Sequence, residues 1–353
     1  MRYRLLGKTG LRVSELCLGT MTFGEDWGWG ASREESRRIF TAFAEAGGNF
    51  IDTANLYTNG TSEKFVGEFI SGERARFVVA TKYTLNTRPD DPNGGGNHRK
   101  NLVQSLEESL VRLGIDYIDL YWVHAWDAFT PLEETMRALD DVVRAGKVLY
   151  VGVSDSPAWA VSRANTLAEW RGWSPFVGLQ IPYSLIERTP ERELLPMAEA
   201  LEMTVTPWGT LGGGVLSGKY KSRDNRPHDS RYGTDTTWGD VYVTDRNLAI
   251  AGEVEKVAAE IGRSASQVAI AWARQRVPSA IPIIGARRVS QLKDNMACLD
   301  IELSPEQMRR LDGISRIDLG FPLAFLEQAR EIMYGKTFPL IEERQRRPGR
   351  KAA

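Results

Sequence analysis

Only two cysteines occur in 353 residues, Cys17 and Cys298. They are too few for a disulfide framework and too far apart for a metal-binding motif, so no metal is expected. Excess charge is missing as well: 45 Lys and Arg stand against 46 Asp and Glu, a formal net charge of -1. That balance gives no electrostatic reason to expect nucleic acid or a membrane surface as a partner. No run approaches the roughly 20 apolar residues of a membrane span, and the opening MRYRLLGKTG has no apolar signal core. A cytoplasmic protein in a reducing compartment is therefore expected. Also absent is a G-x-G-x-x-G turn after the first strand, which an open dinucleotide-binding sheet carries. What remains is an ordinary globular composition, 42% hydrophobic and 26% charged, in a chain long enough for one large domain.

Short apolar strands alternate with longer amphipathic helices from residue 17 to residue 300. The strands read as 17–21, 49–53, 77–83, 117–124, 148–154, 176–183, 205–208 and 280–285, each a near-continuous apolar run. Between them, Ser32 followed by Glu35 predicts a capping box. Leu102, Leu106, Leu110 and Leu113 form one helical stripe, and Leu132, Met136, Leu139 and Val143 another. Eight such units favour an α/β (β/α)8 TIM barrel. A single domain over 1–353 is expected: a hairpin plug over 1–16 turning at Gly7–Gly10, a barrel over 17–300, and a helix and tail over 301–353. Ser304, Pro305 and Gln307 open that last helix with a second capping box, and the tail EERQRRPGRKAA should be frayed. Residues 209 to 243 read as a long glycine-rich loop, either functional or disordered.

NFIDTANLY, residues 49 to 57, ends a strand on Asp52 and places Tyr57 in the loop beyond it. Lys82 and His124 end the next two strands. A barrel concentrates chemistry at the C-terminal ends of its strands, so four ionisable residues converge on one rim. Alone, Asp52 reads as a turn carboxylate, Tyr57 as packing, Lys82 as a snorkelling lysine and His124 as a core histidine. Together they read as a site. Asp52 keeps Lys82 charged, and that charge is expected to lower the pKa of the Tyr57 phenol from about 10. The phenol then delivers a proton to an oxygen that His124 orients.

NFIDTANLYTNGTSEKFVG resembles the signature of the aldo-keto reductase superfamily, as do VATKY, IDLYWVH, VGVSD, GLQIPYSL, LGGGVLSGKY and IPIIGARRVSQLKDN. All seven fall in the family's order, over roughly residues 1 to 316. The resemblance implies a (β/α)8 barrel with Tyr57 as proton donor, supported by Asp52, Lys82 and His124. It also implies NADPH/NADP+ as cofactor, handing hydride to the carbonyl carbon of a small molecule. Gly19, Thr20 and Met21 would lie at the nicotinamide ribose, and Asp52 would also bind the cofactor. Ser154, Asp155 and Gln180 would hold the carboxamide, and Trp208 would stack on the ring. Gly209, Thr210, Leu211, Gly212 and Gly213 would cradle the pyrophosphate with Lys219. Gly285, Arg287, Gln291, Asp294 and Asn295 would form the adenosine-phosphate site. Asp155 stands where many relatives carry Asn and can accept from a carboxamide but not donate to it. Arg288 stands where a small hydroxyl residue is common, and Pro182 where an acidic residue is frequent.

Ten tryptophans are present, and Trp27, Trp29, Trp126 and Trp238 fall in rim loops. They are expected to wall a flat or apolar substrate, with Trp27, Trp126 and Trp238 as candidate contacts; packing of the loops is the alternative. Aromatic aldehydes, sugar-derived ketones and multi-ring ketones all fit. The resemblance extends to a channel-associated regulatory branch, so a cofactor-binding subunit with little turnover is the competing reading. That branch tends to lack the histidine found here at 124. A barrel lyase using Lys82 as a Schiff base is a third, but a lysine paired with Asp52 is a poor nucleophile. Oligomeric state leaves no mark in the sequence.

Overall fold

In the computed structural model, residues 1–341 are described apart from 225, 229 and 235, so the basic tail lies outside the described residues. The chain opens with an antiparallel hairpin, β1 (Tyr3–Leu5) against β2 (Arg12–Ser14). Eight parallel strands follow: β3 (Cys17–Gly19), β4 (Phe50–Asp52), β5 (Val78–Tyr83), β6 (Ile118–Val123), β7 (Val148–Ser154), β8 (Phe176–Pro182), β9 (Thr204–Trp208) and β10 (Ile283–Ile284). Their spatial order is β10-β3-β4-β5-β6-β7-β8-β9. A parallel bridge between Val205 and Ala280 joins the two edges, so the sheet closes into a barrel.

All eight expected strands are present, and the last is much shorter than the apolar run 280–285. Pro282 explains this. It has no N–H to give the ladder, although its carbonyl still accepts from Cys17 N at 2.9 Å.

The helices around the barrel are α1 (Arg33–Glu45), α2 (Thr61–Ile70), α3 (Arg99–Leu113), α4 (Leu132–Arg144), α5 (Ala158–Arg171), α6 (Leu194–Ala200), α7 (Arg231–Thr234), α8 (Thr236–Tyr242), α9 (Asp245–Glu260), α10 (Ala265–Arg276), α11 (Val289–Met296) and α12 (Pro305–Ile314). The stripe Leu102, Leu106, Leu110 and Leu113 on α3 is buried, as the period-3.6 pattern predicts. His98 caps that helix by accepting from Asn101 N at 3.2 Å. The capping box at Ser304 forms in both directions. The one expected at Ser32 forms only half. Ser32 Oγ accepts from Glu35 N at 3.3 Å, but Glu35 Oε1 accepts instead from Val289 N at 2.8 Å. The free amide at the start of α11 captures the carboxylate.

Inside the barrel, Leu6 and Val13 of the hairpin pack with Cys17, Phe50, Val78, Ala80, Leu120, Trp122 and Ile281. Trp122 is fully buried there, an aromatic where aliphatic residues are usual. Glycine on the next two strands makes room: a Cβ at Gly152 would meet the indole at 2.3 Å, and one at Gly178 at 2.9 Å. Burying an indole is worth roughly 4–6 kcal/mol, so the pair of glycines carries a real packing gain. The hairpin seals the N-terminal end of the barrel. Gly7 N donates to Thr204 Oγ1 at 2.7 Å and Arg4 Nη1 to Ala280 O at 2.9 Å. Only the C-terminal rim is left for chemistry.

Residues 209 to 243 are not a featureless loop. Their described part holds a 3-10 turn at Gly212–Ser217 followed by α7 and α8. Tyr232 stacks on Tyr242 at 5.4 Å and leans on Tyr220 at 6.0 Å, and both Tyr220 and Tyr232 are buried. These rings offset the ordering entropy that glycine-rich sequence alone would not recover. No helix among the described residues is long and apolar enough to cross a membrane. By its contacts the chain divides into a unit Met1–Arg316, which includes α12, and a second unit from Ile317, which holds α13 (Leu323–Gln328) and α14 (Arg330–Tyr334).

Candidate active site

Three neighbouring strands deliver the central residues. Asp52 is the last residue of β4, Lys82 lies near the end of β5, and His124 follows β6 directly. Lys82 is fully buried. Its ammonium has three acceptors: Asp52 Oδ2 at 2.5 Å, Thr53 O at 2.7 Å and the Tyr57 hydroxyl at 3.2 Å. The Tyr57 ring stands edge-on to the His124 ring, 5.9 Å between centroids and 82° between planes. Asp52, Tyr57, Lys82 and His124 therefore share one site at the open rim.

The backbone beyond Tyr57 is fixed by unusual means. Thr58 and Asn59 both take left-handed conformations, φ 45° and 53°, without being glycine. Such residues cost about 1–3 kcal/mol each and persist only when their surroundings hold them. Thr58 Oγ1 donates to Phe23 O at 2.7 Å and accepts from Ser62 N at 3.1 Å, while Asn59 Oδ1 accepts from Trp27 Nε1 at 3.3 Å. Behind Lys82, Thr81 donates to the buried Glu63, which pairs with Arg112 at 2.6 Å. Nothing in the sequence pattern marks Thr58, Glu63 or Arg112, because their partners lie on other elements.

Burial opposes the charge on Lys82, but Asp52 and Tyr57 together outweigh it, and the lysine pKa is raised. The ammonium is therefore permanent at working pH. Tyr57 departs from the sequence expectation. Burial raises its pKa, and the Lys82 charge pulls it only part of the way back. The phenol is thus fully protonated at neutral pH, with a cation beside the oxygen that would become negative. Burial, then the Lys82 charge, push the His124 imidazole down to about 3, so it is neutral. Its Nδ1 is buried with no hydrogen-bond partner.

Other sequence-predicted positions fall around this centre. Gly19 ends β3, and Gly285 lies across from its carbonyl with open space beside it. Thr20 is buried, donating to Asp52 O at 3.0 Å and paired with Ser62 at 2.8 Å, while Met21 is half-buried beside it. Ser154 ends β7. Asp155 follows with φ 41° and accepts from Trp208 Nε1 at 3.2 Å. Gln180 on β8 donates to Asp52 Oδ1 at 3.0 Å, so part of its amide is committed to the carboxylate.

The turn after β9 fits a phosphate cradle. Gly209 and then Gly212, Gly213 and Gly214 all have positive φ, with Thr210 buried and Leu211 half-buried between them. Side chains are excluded there by space as well. A Cβ at Gly212 would meet Ile186 at 2.2 Å, at Gly213 the Tyr232 hydroxyl at 2.1 Å, and at Gly214 the Lys219 ammonium at 2.5 Å. Lys219 thus lies against the glycines.

At the start of α11, Arg287 N donates to Gln291 Oε1 at 2.9 Å and Asn295 Nδ2 to Gly285 O at 3.3 Å. Asp294 is used within the fold, accepting from Ser264 Oγ at 2.8 Å and Gln267 Nε2 at 2.7 Å. Among the rim tryptophans, Trp27 stands edge-on to Tyr57 at 6.5 Å and packs on Trp29 at 5.9 Å. Trp126 packs on Trp159 instead, and Trp238, 55% exposed, leans on Tyr242.

This arrangement has relatives. The model of the aldo/keto reductase family matches residues 15–316. A norsolorinic acid reductase of Aspergillus flavus is 39% identical over 92% of this chain and 84% of its own length. The norsolorinic acid reductase stcV of Emericella nidulans is 38% identical over 92% and 84%. An aryl-alcohol dehydrogenase [NADP(+)] of Phanerodontia chrysosporium is 40% identical over 89% and 85%. The chain belongs to the aldo/keto reductase family.

Proposed function

We propose that the protein is an NADPH-dependent carbonyl reductase acting on aromatic aldehydes or ketones, with Tyr57 as the proton donor. The observation that carries this reading is the double engagement of Lys82, whose ammonium touches the Asp52 carboxylate and the Tyr57 hydroxyl at once. A phenol beside a permanent cation can give up its proton to a carbonyl oxygen, since the phenolate left behind is stabilised where it forms. His124, held neutral, can donate one ring N–H to the same oxygen and set its direction.

The residues fit a nicotinamide dinucleotide. The positive-φ glycines Gly209, Gly212, Gly213 and Gly214 can turn backbone amides toward a pyrophosphate, and Lys219, packed against Gly214, supplies a cation beside it. Bound, that cofactor supplies hydride to the carbonyl carbon. Arg287 and Arg288 offer charge for a 2′-phosphate. Trp27, edge-on to Tyr57, gives a flat apolar wall next to the reacting oxygen, which suits an aromatic carbonyl. The relatives named for aryl alcohols and norsolorinic acid agree with that class.

The test is turnover of a panel of carbonyls with benzaldehyde and its methoxy derivatives at one end and short aliphatic aldehydes at the other. The expected result is NADPH oxidation matched by alcohol formation, fastest for the aromatic compounds. Absence of turnover with every member, despite measurable NADPH binding, contradicts the reading and favours a cofactor-binding subunit.

A further inference from the structure

His124 Nδ1 is buried and has no hydrogen-bond partner among the described residues. Its direction must therefore come from its backbone and from packing. The backbone around the residue is tied to two side chains that bond each other, Thr84 and Asn97; Asn97 lies in the loop between β5 and α3 and is only 3% exposed.

On one side, His124 N donates to Thr84 Oγ1 at 3.1 Å and shares its proton with Tyr83 O at 3.2 Å. The Thr84 hydroxyl in turn donates to Asn97 Oδ1 at 2.6 Å. On the other side, Asn97 Nδ2 donates to Ala125 O at 3.0 Å. The amide orientation is forced. Reversed, it would set an oxygen against the Ala125 carbonyl, which cannot donate, and that bond would be lost. A closed loop of hydrogen bonds thus runs from Asn97 through Thr84 to His124 and back through Ala125.

Both members of the clasp are themselves held. Thr84 has φ 100°, a conformation rare for a β-branched residue and costly by about 1–3 kcal/mol. Gly96 N donates to Thr84 O at 2.7 Å, which keeps it there. Asn97 N donates to Asp127 Oδ2 at 2.8 Å, and the same oxygen accepts from Thr130 Oγ1 at 2.6 Å. Asp127 also accepts from Phe129 N at 2.9 Å. The loop before α3 is in this way tied to the segment that carries His124 and Trp126.

We infer that Asn97 and Thr84 are positioning residues for His124: the clasp sets the imidazole against Tyr57 and so aligns the reacting oxygen. The inference rests on the carbonyl-reductase reading above. A shift of about 1 Å in an aligned group can cost on the order of 10²-fold in rate, which sets the scale of the effect.

The test is a double-mutant cycle in the full-length protein. Asn97→Ala should lower kcat about 10- to 100-fold with NADPH affinity, read by fluorescence, unchanged. In a His124→Ala background the same substitution should change kcat by no more than about 2- to 3-fold, because no ring is left to position. A merely structural Asn97 would lower the rate equally in both backgrounds, and that outcome overturns the inference. Thr84→Ser, which keeps the hydroxyl, should retain activity, and Thr84→Val, which removes it, should reproduce Asn97→Ala; equal activity of the two Thr84 variants also overturns it. These variants answer the question if Asn97→Ala does not fold. Failure of the carbonyl-reductase reading is seen separately, since the wild-type protein would then have no kcat to lower.

Discussion

Lys82→Met removes a cation while keeping most of the volume of a fully buried stem. Two consequences can be separated. The first is stability. Asp52, 2% exposed, would keep Gln180 as its side-chain donor among the described residues, at 3.0 Å. Removing one partner of a buried ion pair typically costs about 3–5 kcal/mol. At roughly 2.1 cal/mol/K of unfolding entropy per residue, a 353-residue chain loses about 1.4 °C per kcal/mol, hence a Tm lower by about 4–7 °C. The second consequence is chemical. At 3.2 Å and an effective dielectric of about 20, the ammonium stabilises a full negative charge on the Tyr57 oxygen by roughly 5 kcal/mol. With the proton about half transferred in the transition state, roughly half of that is lost, or about 10²-fold in kcat. Steady-state reduction of an aromatic aldehyde at 25 °C reads the chemical part, and thermal unfolding followed by circular dichroism reads the other. A kcat within 3-fold of wild type, together with the lowered Tm, would refute the reasoning: the ion pair would then be structural and the phenol would not depend on it.

His124 makes stability sensitive to acid. Because its folded pKa lies near 3 against 6.5 unfolded, the unfolded chain alone takes up a proton between those values, and stability falls as pH falls through that window. His124→Gln should remove about 2–3 kcal/mol of this loss between pH 6.5 and pH 4.5 in urea titrations; parallel curves for the two proteins would count against a neutral buried imidazole. Arg287→Ala should weaken NADPH about 10- to 100-fold and NADH far less, since a charge-assisted pair with a 2′-phosphate is worth roughly 1.5–3 kcal/mol. Equal weakening of both cofactors would remove Arg287 from the phosphate site.

The barrel and the convergence of Asp52, Tyr57, Lys82 and His124 were legible because both follow from strand order, which the sequence states directly. Apolar runs locate strands, and a barrel sends their C-terminal residues to one rim. What escaped depends on contacts between elements distant in the chain. Glu35 reads as half of a local capping box until α11 offers it an unpaired amide. Asn97 and Thr84 look like ordinary loop residues until the backbone around His124 is in place. The tyrosines of residues 209 to 243 give no periodic signal, yet their rings fold the segment. The Tyr57 shift runs opposite to the sequence expectation for a related reason: a neighbouring charge can be inferred from sequence, whereas the burial that outweighs it cannot.

The mechanism turns on the Tyr57 hydroxyl as the proposed proton donor. Tyr57→Phe removes that oxygen and leaves the ring beside Trp27 and His124. In this variant kcat for aromatic aldehyde reduction should fall by about 10²- to 10⁴-fold while the Kd for NADPH, measured by fluorescence titration, stays within about 2-fold of wild type. A variant that keeps more than half of the wild-type kcat would contradict it.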